Sequence, residues 1–147
     1  MNGNADGIKG ELDDLQHDVM SMLVQIQPES DLLKVVLKGR FSLREAKRTF
    51  IETLKAVAFH KSKKVLIDGR TIVGEPEVID RFYYGDFAAE MIMSYEDRGV
   101  SAGTPFAYVL VEPVLDPQRF GETVAVNRFM NVKAFDNPEE AMKWLSR

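Results

Sequence analysis

Cysteine is absent from the chain, so a disulfide framework, a thiol nucleophile and a thiolate metal site are all excluded. Histidine is scarce, with His17 and His60 the only two. They fall on separate elements with no third ligand in view, which argues against a metal centre. Positive charge is not in excess. The formal net charge of −4 and a pI near 5.2 weigh against a dedicated nucleic-acid binder. No apolar run is long enough to span a bilayer, and the first residues lack the basic-then-apolar layout of a signal peptide, so a cytoplasmic location is expected.

Several catalytic signatures are missing as well. There is no Gly-x-Gly-x-x-Gly after a strand, no Gly-Lys-Ser/Thr phosphate loop and no Gly-x-Ser-x-Gly elbow. Adjacent carboxylates occur at Asp13-Asp14, in the N-terminal segment, and at Glu139-Glu140, where they cap a helix. No catalytic residue, cofactor or metal is therefore expected, and the chain reads as a non-enzyme.

What is present is an ordinary globular composition. The 147 residues are 45% hydrophobic and 29% charged, which suits one domain with a real core. The centre of the pattern is Lys64 to Arg70. Val65, Leu66 and Ile67 form a continuous apolar run, as in a strand covered on both faces. Asp68-Gly69-Arg70 then reads as a polar turn. Helical patterns on either side imply a parallel sheet with crossover helices. Ligands and partners usually meet such sheets at the carboxyl ends of the strands, so Asp68 to Glu75 is the first place to look for function.

In chain order, Met1 to about Gly10 has the Gly, Asn and Asp content of a mobile tail. Leu12, Leu15 and Val19 fall on one side of a short helix. Residues 1–19 are thus expected to be mobile or partly helical, and 20–147 to form a single domain. Met20, Met22, Val24 and Ile26 alternate with Ser21, Gln25 and Gln27, although Leu23 breaks the polar face, and Leu33, Val35 and Leu37 alternate with Lys34 and Lys38. With a turn at Pro28 to Asp31 they predict an antiparallel hairpin. Ser42 and Glu45 have capping-box spacing ahead of a helix through Leu43, Ala46, Phe50, Leu54 and Val57. Glu75-Pro76-Glu77 predicts the start of a second helix carrying Ile79, Phe82, Tyr83, Phe87, Met91 and Tyr95, with Gly85 loosening its middle. Phe106 to Val111 is a further apolar strand, and Asp116-Pro117 the start of a third helix. Asn131 to Phe135 is a last strand, and Asn137-Pro138-Glu139-Glu140 opens a final helix. The fold class is α/β, a mixed and mostly parallel sheet of about five strands with about four helices.

The ending, Phe120-Gly121-Glu122-Thr123-Val124-Ala125-Val126-Asn127-Arg128, then Val132-Lys133-Ala134-Phe135-Asp136, then Glu139 to Leu145, resembles the C-terminal part of SpoIIAA-like proteins. These belong to the STAS superfamily of sulfate-transporter and anti-sigma-factor-antagonist domains, itself similar in fold to CRAL-TRIO lipid-transfer domains. The element order agrees over about Met20 to Arg147. Relatives carry a glycine near Phe129; here Asn131 is expected to supply the left-handed turn instead. In signalling members, a Ser or Thr beside an Asp is phosphorylated at the start of the helix after the central strand. The matching stretch, Asp68 to Pro76, holds no serine. Thr71, its one hydroxyl, precedes the expected helix start. This departure argues against a phosphoswitch at Thr71 and for a turn residue.

Two functional expectations follow. The first is an interaction module that binds a protein partner through Asp68, Arg70, Thr71 and Glu75 and the helix beyond, with an Asp68–Arg70 salt bridge tying down the turn. The second is a carrier of a small apolar ligand or lipid, with Phe82, Tyr83, Phe87 and Met91 on the pocket wall. Adjacent Tyr83 and Tyr84 cannot face the same way, so one of them rims a pocket or an interface. The hairpin edge and the aromatic helix are alternative surfaces for a homodimer.

Overall fold

The structure, a computed structural model, describes residues 22–147. The readings placed on Leu12, Leu15 and Val19, on His17, on Asp13-Asp14 and on the strand start at Met20 lie outside the described residues. Five strands form one sheet in sequence order: β1 (Met22–Glu29), β2 (Leu32–Arg40), β3 (Lys64–Val73), β4 (Phe106–Val109) and β5 (Val132–Phe135). β1 runs antiparallel to β2, and every other pairing is parallel. The helices are α1 (Leu43–His60), α2 (Val78–Ser94), α3 (Phe120–Asn127) and α4 (Pro138–Leu145), with a 3-10 turn at Glu96–Arg98.

Strand alternation sorts the core into two layers. Leu33, Val35, Val65, Ile67, Phe106 and Tyr108 point to the face covered by α1, α2 and α3, and meet Phe50, Leu54, Ala88, Ile92 and Ala125 there. Leu66, Ala107, Val109 and Phe135 point to the other face, where α4 lays down Ala141 and Leu145. That single helix covers only one half of the sheet, and Leu23, Gln25, Gln27 and Lys38 of the hairpin stay exposed.

Capping chemistry accounts for the helix starts. The Ser42 hydroxyl accepts the Glu45 N–H at 3.2 Å. The return half of that box is not made, because the Glu45 carboxylate turns to Arg48 (2.9 Å), which also donates to the Met22 carbonyl at 2.7 Å. Asn137 caps α4 through the Glu139 N–H at 2.8 Å, with Pro138 in the first turn, as its sequence implies.

The structure corrects several boundaries. Asp68-Gly69-Arg70 is not a turn, since β3 continues to Val73. Val36 faces Asp68 and Lys38 faces Thr71, so β3 carries one extra residue there. The glycine marks a β-bulge inside a long strand, the alternative meaning of a glycine in an apolar run. α3 begins at Phe120 rather than at Asp116, because Asp116 spends its carboxylate on the Gln118 and Phe120 N–H groups (3.0 and 2.8 Å) and so shapes the turn ahead of the helix.

Phe129, not Asn131, takes the left-handed conformation before β5, with φ of 72°. Asn131 instead donates its side-chain amide to the Gly103 carbonyl at 3.0 Å. Phe129 is 83% exposed, so its ring contributes little packing while its backbone is strained. Phe129→Gly is expected to stabilise the fold by about 0.5–1 kcal/mol, read as a higher thermal midpoint. A lower midpoint would mean that the ring packs on something after all.

Candidate functional site

At the carboxyl ends of the parallel strands lies an apolar cavity of about 140 Å³, open to solvent on one side. Its floor is Leu37, Ile72 and Tyr108 from the sheet with Leu110 just past β4, and its walls are Tyr84, Gly85 and Ala88 of α2 with Gly121 and Ala125 of α3. Phe82, Tyr83, Phe87 and Met91 do not line it. Phe87 and Met91 pack against the main core beside the cavity. The ring of Phe82 lies under the Arg128 guanidinium at 5.5 Å, and Tyr83 stands out in solvent with its ring edge-on to Phe82. The helical period sets this: α2 presents Tyr84 and Ala88 to the cavity, one turn apart, and turns Tyr83 away.

The cavity holds a buried polar pair. The Tyr84 and Tyr108 hydroxyls lie 2.5 Å apart, and Tyr108 is only 8% exposed. Burial pushes both phenols above their ordinary range, so both keep their protons at physiological pH. Tyr108 carried a signal that periodicity alone does not weigh: a phenol in the middle of an otherwise apolar buried strand needs a partner for its hydroxyl.

Charged residues rim the mouth, which stays open to solvent. Arg81 donates to the Pro113 and Val114 carbonyls at 2.7 and 2.8 Å and straps the 111–119 loop to α2. Arg119 donates to the Asp116 carbonyl at 2.8 Å, and Glu122 accepts the Ala134 N–H at 2.6 Å, tying α3 to β5. Partial burial acts to raise the Asp116 carboxyl, but the Phe120 and Gln118 N–H donors and the charges of Arg81 and Arg119 outweigh it and hold the group below its ordinary value of 3.8. A carboxyl lowered on folding stabilises the native state above its unfolded value and loses that contribution as pH falls through the folded value. Asp116→Asn is therefore expected to flatten the acid limb of the stability curve below about pH 4, read by denaturant titrations at stepped pH. An unchanged acid limb would remove Asp116 from this role.

The residues expected near the end of β3 stand on the edge of this region. Arg70 donates to both carboxylate oxygens of Asp68, at 3.0 and 2.8 Å. That contact, opposed by partial burial and helped by the Arg70 N–H and by Lys34, holds Asp68 below the ordinary carboxylate range. The salt bridge expected from sequence is present, but it spans a bulge within β3. Thr71 lies in the strand, with its hydroxyl donating to the Leu37 carbonyl at 3.3 Å, well before the helix start at Val78. Glu75 is exposed in the connection. Val73, Val78, Ile79 and Tyr83 add an exposed apolar run from the end of β3 onto the first turns of α2, with Val78 68% exposed. Periodicity did not single out Val73 or Val78. His60 is exposed at the end of α1 against the Phe59 ring, far in sequence from any acidic cluster. Among the described residues no group of three His, Cys, Asp or Glu side chains is placed to hold a metal ion, and no helix is long and apolar enough to cross a membrane.

No protein-family model matches the chain, and no curated protein matches it in sequence. Solved structures do match. A crystal structure of an anti-sigma factor antagonist from Mycobacterium paratuberculosis aligns with a TM-score of 0.54 at 12% identity, covering 86% of this chain and 96% of that one. An uncharacterized protein with a SpoIIAA-like fold from Shewanella loihica aligns with a TM-score of 0.47 at 16% identity, covering 85% of this chain and 94% of that one. The first alignment shows that this chain has the fold of an anti-sigma-factor antagonist, the STAS or SpoIIAA-like fold.

Proposed function

We propose that the chain is a non-enzymatic regulatory module that binds a protein partner along the carboxyl end of β3 and the start of α2. The observation that carries this reading is the exposed apolar run of Val73, Val78, Ile79 and Tyr83 beside the polar residues Arg70, Thr71 and Glu75. Apolar side chains of this size, left exposed between the end of β3 and the first turns of α2, are surface that a partner can cover. The fold shared with an anti-sigma factor antagonist supports the same reading. A non-enzymatic role is supported by the Asp68 carboxylate, which Arg70 holds ionised in a two-point contact, the opposite of what a general acid requires. Residues 20–147 would act as one unit, in the cytoplasm. The test is co-purification from the native host with wild-type and Arg70→Glu/Ile79→Lys chains. Loss of a specific co-purifying protein in the variant is the expected result, and identical recovery with both chains would sink the assignment.

A second reading, a carrier of a small apolar ligand, is favoured by the cavity beneath α2. The pocket wall proposed for it shifts from Phe82, Tyr83, Phe87 and Met91 to Tyr84, Ala88 and Tyr108. Native mass spectrometry of protein from its own host separates the two readings. A retained small molecule that leaves on denaturation favours the carrier, and a bare chain favours the module. The same spectrum reports whether the chain is a homodimer, and a phosphate mapped to Thr71 would restore the phosphoswitch.

A further inference from the structure

The cavity holds one more hydroxyl proton than its protein groups can accept. Tyr84 and Tyr108 each carry one hydroxyl proton, and a single hydrogen bond joins them. Among the described residues neither hydroxyl has another hydrogen-bond partner. Whichever hydroxyl donates, the proton of the other has no protein acceptor. Both side chains line the cavity, so that proton is available to whatever fills it.

Water is a poor occupant. The space of about 140 Å³ has room for more than one molecule, yet each buried water needs about two to four polar partners. The polar groups at the rim are already engaged: Arg81 with the Pro113 and Val114 carbonyls, Arg119 with the Asp116 carbonyl, and Glu122 with the Ala134 N–H. Asp80 and Asp116 also line it, and their carboxylates already accept the Glu77 N–H and the Gln118 and Phe120 N–H groups; the rest of the lining is mostly aliphatic or aromatic.

We propose that the cavity binds a small, largely apolar molecule carrying one hydrogen-bond acceptor, whose oxygen takes the hydroxyl proton left over by the Tyr84–Tyr108 pair. This rests on the carrier reading and specifies its ligand. Size follows from volume: an apolar cavity of about 150 Å³ takes up benzene, so the occupant has about six to eight non-hydrogen atoms. A ring or branched chain with a single carbonyl, ether or hydroxyl oxygen meets these terms.

The experiment uses the full chain labelled with nitrogen-15, titrated with cyclohexanone and, separately, with toluene. The two probes match in size, and only the ketone has an acceptor. Each is titrated into wild type and into Tyr84→Phe/Tyr108→Phe. The double variant is required, since either single change leaves one hydroxyl with its proton. Removing both hydroxyls at once leaves no orphaned polar group, so the variant is expected to fold. Both probes should shift the amides of Ala88, Ala125 and Ala134 in wild type. Ketone affinity should fall about fivefold in the double variant, the value of one hydrogen bond, while toluene affinity stays within about twofold. Equal changes for both probes would overturn the acceptor proposal and leave the carrier reading standing. No shift of any cavity amide by either probe in wild type would overturn both. If the double variant does not fold, the carbonyl carbon-13 resonance of cyclohexanone bound to wild type decides. A downfield move relative to its value in hydrocarbon solvent is expected, and an unmoved resonance refutes the proposal.

Discussion

Phe50→Ala is expected to remove about 4 kcal/mol of unfolding free energy, the range seen when a large aromatic side chain is deleted from a packed core. Phe50 is 1% exposed and sits where α1, α2 and β4 meet. Its ring stands edge-on to Tyr84 at 6.1 Å and tilted against Phe106 at 5.7 Å. Each contact adds to the area term, since offset and edge-to-face aromatic pairs are worth about 0.5–1.5 kcal/mol beyond burial. A domain of this size is stable by only about 5–15 kcal/mol, so the variant should be marginal at 37 °C. Urea titration provides the measurement: the midpoint should fall sharply with little change in slope. Phe50→Leu keeps most of the volume and should cost clearly less. If Phe50→Ala cost under about 1 kcal/mol, the junction of these elements would not be the centre of the core.

Much of this architecture was legible in the residues. Unbroken apolar runs at Val65 to Ile67 and Phe106 to Val111 announced buried parallel strands, and both lie inside the sheet, although β4 stops at Val109. Ser42 and Asn137 placed two helix starts to the residue, because a capping side chain acts on backbone N–H groups within three positions. Long-range information was not legible. Gly69 has the same local signature in a turn and in a bulge. What decides is the neighbouring strand, whose residues Val36 and Lys38 continue to pair on either side of it. The candidate pocket wall was misplaced for a related reason. Aromatic size drew attention to Phe82 and Phe87, whereas the cavity is made where side chains are small, at Gly85, Ala88, Gly121 and Ala125. Space between helices comes from missing atoms, and a reading that weighs large side chains overlooks it.

Gly85 shows this most directly. Its sequence position suggested a loosened helix, yet α2 runs unbroken from Val78 to Ser94 and Gly85 is buried within it. It packs directly against the backbone of α3. A Cβ placed there would lie 2.5 Å from the Gly121 carbonyl oxygen and 3.3 Å from the Val124 Cβ. A backbone carbonyl cannot rotate aside as a side chain can, so α3 would have to retreat. Helix propensity acts the other way, favouring alanine over glycine by about 1 kcal/mol. The clash should prevail, because overpacking a close contact typically costs about 1–3 kcal/mol and here the opposing atom is held by the helix backbone. Gly85→Ala is expected to destabilise by about 2 kcal/mol net, and Gly85→Val by more, since a branched side chain adds bulk and loses the propensity gain. Gly121→Ala provides the internal comparison. Its Cβ would stand 3.2 Å from the Arg81 carbonyl oxygen, tight but tolerable with a small shift. The order of loss should therefore be Gly85→Val, then Gly85→Ala, then Gly121→Ala, measured as urea midpoints. If Gly85→Ala matched or exceeded wild-type stability, α3 would be free to slide on α2, and the cavity between them would have no fixed volume.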